Sequence, residues 1–155
     1  LVVYGYEITK NNFMFLCENG YFIKMPELLK LNVDEQIADM YIKNGICPPN
    51  YEMTPIKKLE LMFSTNEKID DIKCFIKKCN IAPTIYCLQI VCAFRNIEHI
   101  KFIQENYAIE PDKICFDNIF KYEFHYDNEC NYKDIISCAE IIDCLTKNMK
   151  ICKKF

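Results

Sequence analysis

The stretch Ile69–Phe120, IDDIKCFIKKCNIAPTIYCLQIVCAFRNIEHIKFIQENYAIEPDKICFDNIF, contains one pattern twice. Ile69, Ile72, Lys73, Ile81, Pro83 and Cys87 recur as Ile97, Ile100, Lys101, Ile109, Pro111 and Cys115, each 28 residues later. A period between about 20 and 50 residues marks stacked supersecondary units, none of which can bury its apolar face without a neighbour. The spacing inside each copy decides what those units are made of.

Leu88, Val91 and Cys92 fall at i, i+3 and i+4, one face of a helix, which Pro83 and Thr84 start with Thr84 as N-cap. Ile97, Ile100 and Ile103 make a second stripe. A short turn at Arg95 and Asn96 joins the two and forces an antiparallel hairpin of a first helix A and a second helix B. The A signature recurs at Phe13, Leu16 and Cys17, at Leu59, Met62 and Phe63, and at Phe116, Ile119 and Phe120. B helices are predicted over Asp34 to Asn44, Lys68 to Cys79, Ile97 to Asn106 and Lys133 to Asn148. Gly45 suits a left-handed helix end, and Pro48 with Pro49 prevents continuation. Pro26 suits the first turn of a short extra helix over Met25 to Leu31.

No stretch combines an alternating run with a hairpin turn and a second such run, and three glycines leave few tight β turns. The predicted fold class is therefore all-α, a solenoid of stacked antiparallel helix pairs in a single domain over residues 1–155. It divides into an irregular repeat (1–52), regular repeats (53–122), an insertion (123–132, EFHYDNECNY) and a capping helix (133–155). In the capping helix Ile135, Ile136, Ala139, Ile142 and Leu145 form the expected apolar stripe. The opening LVVYGYEIT reads like the tail of one helix and the start of the next unit, so a fragment of a longer chain is expected.

Composition bounds the function. With 51% hydrophobic and 26% charged residues the chain reads as globular rather than disordered. A net charge of −3 with mixed signs lacks the basic footprint of a nucleic-acid binder. No run approaches the ~20 apolar residues that span a bilayer. The cysteines number eleven, an odd count without a single CxxC pair, and only His99 and His125 could add imidazole ligands. Neither a zinc pattern nor a disulfide framework follows, so the thiols are read as small core hydrophobes in a reducing, cytoplasmic compartment, and no metal or cofactor is expected.

The segment Cys87–Ile103, CLQIVCAFRNIEHIKFI, is similar to the helical core of ankyrin repeats, in which a P-L-H-x-A-A pattern precedes a glycine turn and an apolar helix. Leu88, Val91 and Cys92 match the buried first-helix positions, and Ile100 with Ile103 the second-helix face. Leu16–Phe22, LCENGYF, looks like the same helix end and turn. Arg95 stands where the family has its turn glycine, and the 28-residue step is shorter than the family's ~33. The resemblance therefore implies loops that lack most of the β-hairpin finger. The Ile-x-Pro-(Thr/Asp)-x-x-Cys form at Ile81 and Ile109 resembles divergent ankyrin-like repeats of large DNA viruses, which adds the virion as a second location.

That resemblance implies a non-catalytic scaffold that binds another protein, host or viral, and takes no small-molecule substrate. Between the two best copies the outward positions vary, Gln89 becoming Asp117 and Ala93 becoming Lys121, while inward positions stay apolar. Tyr122, Phe124, His125 and Tyr126 cluster in the insertion, where aromatics suit a contact surface. The candidate partner-binding residues are thus Gln89, Arg95, Asp117, Lys121, Tyr122, Phe124, His125 and Tyr126. The alternative is a structural or virion-associated assembly protein that uses this aromatic loop. Contact with nucleic acid or a membrane surface through Lys147, Lys150, Lys153 and Lys154 ranks behind both, since cations near a helix C-terminus are favourable without any ligand. Catalysis lacks a constellation: Asp70 with Asp71 and Glu98 with His99 read as solvated surface, and His125 with Cys130 lacks an orienting group.

Overall fold

The computed structural model describes residues 9–19, 33–120 and 132–149. Among these the protein is all-helical, with α1 at Lys10–Glu18, α2 at Glu35–Lys43, α3 at Pro55–Ser64 and α4 at Ile69–Cys79. It continues with α5 at Ile85–Ala93, α6 at Ile97–Asn106, α7 at Lys113–Phe120 and α8 at Tyr132–Met149, and the described residues include no strand. The 28-residue step is matched by the helix starts, Ile69 and Ile97 for α4 and α6, and Ile85 and Lys113 for α5 and α7. The extra helix at Met25–Leu31 and the insertion from Glu123 lie outside the described residues, apart from Tyr132 at the start of α8.

The local starts and stops follow from the sequence chemistry. Asp34, Thr54 and Asn96 cap α2, α3 and α6, each accepting a backbone N–H in the first turn of its helix. Thr84 occupies the N-cap position of α5, but its hydroxyl faces the Cys87 thiol at 3.8 Å and makes no capping bond. At the helix ends, Gly45, Asn66 and Arg95 adopt φ of 68°, 58° and 52°, the left-handed position that closes a helix. In each case the next residue donates back across the turn, Ile46 to Tyr41, Glu67 to Met62 and Asn96 to Val91. A single turn geometry thus serves a glycine, an asparagine and an arginine.

Packing runs between neighbours along the chain. α3 packs on α5 and α5 on α7, while α6 packs on α8 and the consecutive helices α3 with α4 and α5 with α6 also touch. The core lies along this stack. Leu59 and Phe63 on α3, Leu88, Val91 and Cys92 on α5, Ile100 and Ile103 on α6, and Cys115 with Ile119 on α7 are buried. Helix α5 sits at the centre with Cys87 through Cys92 all buried, so it is shielded on nearly every side. Four of the cysteines, Cys87, Cys92, Cys115 and Cys138, serve as core hydrophobes, whereas Cys47 and Cys74 are exposed.

The stripe of α8 agrees with the predicted one at Leu145 and differs earlier in the helix. Cys138, Ile141 and Leu145 face the core, Ala139 is exposed and Ile142 only half-buried. The buried residues fall at i, i+3 and i+7, so the described part of the face runs through the cysteine.

Candidate interaction surface

Of the eight residues proposed from sequence, three lie within the described residues. Gln89 is not outward: only 8% exposed, its amide Nε2 donates to Asp112 Oδ2 at 2.7 Å, and its backbone carbonyl accepts from Asn118 Nδ2 at 3.0 Å. The reason is topological. α5 is covered by α3, α6 and α7, and Gln89 points at α7 rather than at solvent. Asp112 in turn accepts the Cys115 N–H at 3.0 Å and starts α7. Burial pushes the Asp112 carboxyl up, but the hydrogen bonds from Cys115, Gln89 and Ile114 outweigh it and hold the group below its usual value.

Arg95 is likewise committed within the chain. Its Nε donates to the Ile119 carbonyl at 3.0 Å, near the C-terminus of α7, where a cation opposes the helix dipole. Nη2 is buried without a hydrogen-bond partner among the described residues. Asp117 is exposed and pairs with Lys113 at 2.5 Å across one helical turn. Lys121, Tyr122, Phe124, His125 and Tyr126 lie outside the described residues.

The structure exposes a different pair. Tyr86 and Ile114, one repeat step apart and each the second residue of its helix, are 47% and 50% exposed, while the adjacent Cys87 and Cys115 are buried. Ile56, second in α3, is half-buried at the corresponding place. The signal was present in the sequence: one residue before a repeated buried cysteine lies about 100° around the helix from it. The ammonium groups of Lys57 and Lys43 stand 5.7 Å and 5.9 Å from the Tyr86 ring centre, within cation–π range. Lys57 also bridges Asp39 at 2.5 Å and Glu60 at 3.2 Å. Burial lowers the Lys57 pKa and raises that of Glu60. The two carboxylates outweigh the effect on Lys57, so both groups end above their ordinary values.

Two open clefts flank α6. One, of about 310 Å³, lies between α6 and α8 and is lined by Lys101, Gln104, Glu105, Glu140, Asp143, Cys144 and Lys147. The other, of about 470 Å³, runs beside the α3–α4 turn and includes Asn66, Glu67, Asp70, Lys73, Asn96 and His99. His99 was read as surface, yet it is 2% exposed. The position three residues after Asn96 turns it back under the N-terminal turn of α6, where its ring stands edge-on to Phe63 with centroids 5.6 Å apart. Burial lowers its pKa.

Chemically, the buried groups among these are committed to packing and internal hydrogen bonds. Burial pushes the Cys87 thiol up to about 11, and contact with Cys115 together with burial raises Cys92, so both stay protonated and poorly nucleophilic. Both ring nitrogens of His99 are engaged in hydrogen-bonding distance. Among the described residues no group of three His, Cys, Asp or Glu could hold a metal ion, and no helix is long and apolar enough to cross a membrane. Compared with family models, with curated proteins and with solved structures, the chain matches none.

Proposed function

We propose that the protein is a non-catalytic protein–protein interaction scaffold built from divergent, ankyrin-like helix pairs with shortened loops, of the kind carried by large DNA viruses. The observation that supports this reading is the pair Tyr86 and Ile114. The same position in α5 and in α7, one repeat step apart, presents a large apolar side chain to solvent while its neighbours hold the core. Exposed aromatic and aliphatic anchors on a rigid, periodic frame suit recognition of another protein, host or viral. The binding face then runs along the first turns of α3, α5 and α7, with Lys43 and Lys57 beside Tyr86. A reducing, cytoplasmic compartment fits the same reading, because four buried thiols contribute packing.

The test is a pull-down with wild type and the double variant Tyr86→Asp/Ile114→Asp, checked for unchanged circular dichroism. The proposal expects a protein partner recovered by wild type and lost, at least tenfold, by the variant. Equal recovery by both would move the contact elsewhere, to the insertion at 123–132. Recovery of nucleic acid that is released by moderate salt would replace the proposal with a basic-surface role for the C-terminal lysines.

A further inference from the structure

The turn that joins α3 to α4 is tied to the start of α6 by a closed set of polar contacts. The Asn96 side chain caps α6: its Oδ1 accepts the His99 backbone N–H at 3.1 Å. That contact fixes the orientation of the amide, so both hydrogens of Asn96 Nδ2 point away from it. One goes to Asn66 Oδ1. The other faces His99 Nδ1 at 2.6 Å. A nitrogen that receives a hydrogen bond carries a lone pair, so the ring proton sits on Nε2, which donates to the Glu67 carbonyl at 2.9 Å. With the Asn96 amide oriented by its cap, only the neutral Nε2–H tautomer satisfies both ring contacts of His99.

We propose that His99 is an acid-sensitive latch between successive helix pairs. A proton added at Nδ1 sets a donor against the Asn96 donor, and no rotation of the Asn96 amide repairs this, because turning it would abandon the cap on the His99 backbone. Protonation therefore breaks the Asn96–His99 Nδ1 contact and displaces Asn96 from Asn66, while the Nε2–H bond to the Glu67 carbonyl persists, and the cleft beside the α3–α4 turn opens on its Asn66 side. The position in the fold makes the release matter. Lys73 on α4 stands over the Phe102 ring on α6 at 5.6 Å and both helices contribute to the apolar core, and the polar set adds a separate link between the α3–α4 turn and the start of α6.

The surrounding charges do not stabilise the imidazolium strongly enough to cancel the effect. The hydrogen bond to the Glu67 carbonyl and, after it, Glu98 on its own helix favour the charged form, but burial dominates and holds the group below 6.5. Glu67, Lys68, Asp70 and Lys73 from the preceding turn and α4 line the cleft with mixed sign. The α5 helix carries no charged residue, α3 presents Phe63, and the charged groups of α8 face later turns of α6. The unfolded chain therefore binds the proton first as pH falls. The contribution of the latch is complete above about 6.5 and is lost as pH drops toward the folded-state value.

The experiment is ¹⁵N NMR of the imidazoles together with amide exchange between pH 7.5 and 4.5, corrected for intrinsic exchange, in wild type, His99→Gln and Asn96→Ser. At neutral pH His99 should show the Nε2–H tautomer. On acidification the protection of the His99 and Ile100 amides should fall at least tenfold in wild type and stay level in His99→Gln. Asn96→Ser keeps a cap but removes the Nδ2 donor, so the His99 midpoint should rise. An Nδ1–H tautomer, an unperturbed midpoint near 6.5, or equal loss of protection in wild type and His99→Gln would each overturn the latch. The wild-type tautomer and midpoint decide the matter even where a variant does not fold. Partner recovery is not among the readouts, so failure here is distinguishable from failure of the scaffold proposal.

Discussion

Arg95 occupies the turn between α5 and α6, and two substitutions separate what its backbone costs from what its side chain contributes. The residue sits at φ 52°. The left-handed conformation costs an L-residue about 1–2 kcal/mol. Against this stands the bond from Nε to the Ile119 carbonyl, a charge-assisted contact of about 1.5–3 kcal/mol, partly offset by a buried Nη2 that finds no partner among the described residues. Arg95→Ala keeps the strain and loses the bond, but also removes the orphaned nitrogen, so a net loss of about 1 kcal/mol is expected. Arg95→Gly loses the same bond and relieves the strain. The extra freedom of glycine in the unfolded chain returns about 0.4–1 kcal/mol of that relief. The glycine variant should therefore be the more stable of the two by about 0.5–1 kcal/mol, the reverse of their order inside a helix. In urea, with a slope of roughly 2 kcal/mol/M, the Ala variant shifts the midpoint down by about 0.5 M and the Gly variant by less. A glycine variant less stable than the alanine variant would refute the left-handed assignment. An alanine variant more stable than wild type would show that the buried nitrogen outweighs the bond to α7.

Two further expectations rest on single contacts. Leu88 is fully buried at the centre of the stack, so Leu88→Ala should cost about 2–5 kcal/mol in urea unfolding, and a loss under 1 kcal/mol would mean that α5 is not the core helix. Asp112→Ala removes the cap of α7 and strands the buried Gln89 amide, for a cost of about 2 kcal/mol. Because the Asp112 carboxyl is held below its usual value in the folded state, its stabilisation is present above about 3.9 and lost as pH falls through that lower value. Asp112→Asn should flatten that acid limb, and an unchanged limb would assign it to other carboxylates.

What the sequence made legible was the part of the fold that repeats. The i, i+3, i+4 triplet at Leu88 is buried throughout, that at Leu59 is buried at Leu59 and Phe63 and half-buried at Met62, that at Phe116 leaves Phe120 exposed, and Ile97 to Asn106 matches α6 residue for residue. The failures share a cause. Gln89 and His99 are polar residues placed outward because polarity was taken to mean solvent, yet each is buried with its hydrogen bonds completed by a residue distant in the chain, Asp112 or Glu67. Long-range polar partners leave no periodic trace. In α8 Leu145 is buried as predicted, but Cys138 and Ile141 accompany it in place of Ala139 and Ile142. Tyr86 and Ile114 escaped notice for the opposite reason, since hydrophobic residues were assigned to the core by default.

The division of labour within the stack follows from these partners. Between α3, α5 and α7 the contacts are mainly apolar, and the Cys87 and Cys92 thiols among them are both raised, Cys87 to about 11. Such packing is indifferent to pH. Between the α3–α4 turn and α6 the connection includes a set of hydrogen bonds in which the contact from Asn96 to the ring requires the neutral form of His99. An unmet buried donor costs about 1–3 kcal/mol, enough to open a local junction but far short of dismantling a core built from residues such as Leu59, Leu88 and Ile119. Acid should therefore separate the two: the Leu88 amide keeps its protection at a pH where that of His99 has fallen, and the stack loosens at one seam while its central helices stay packed.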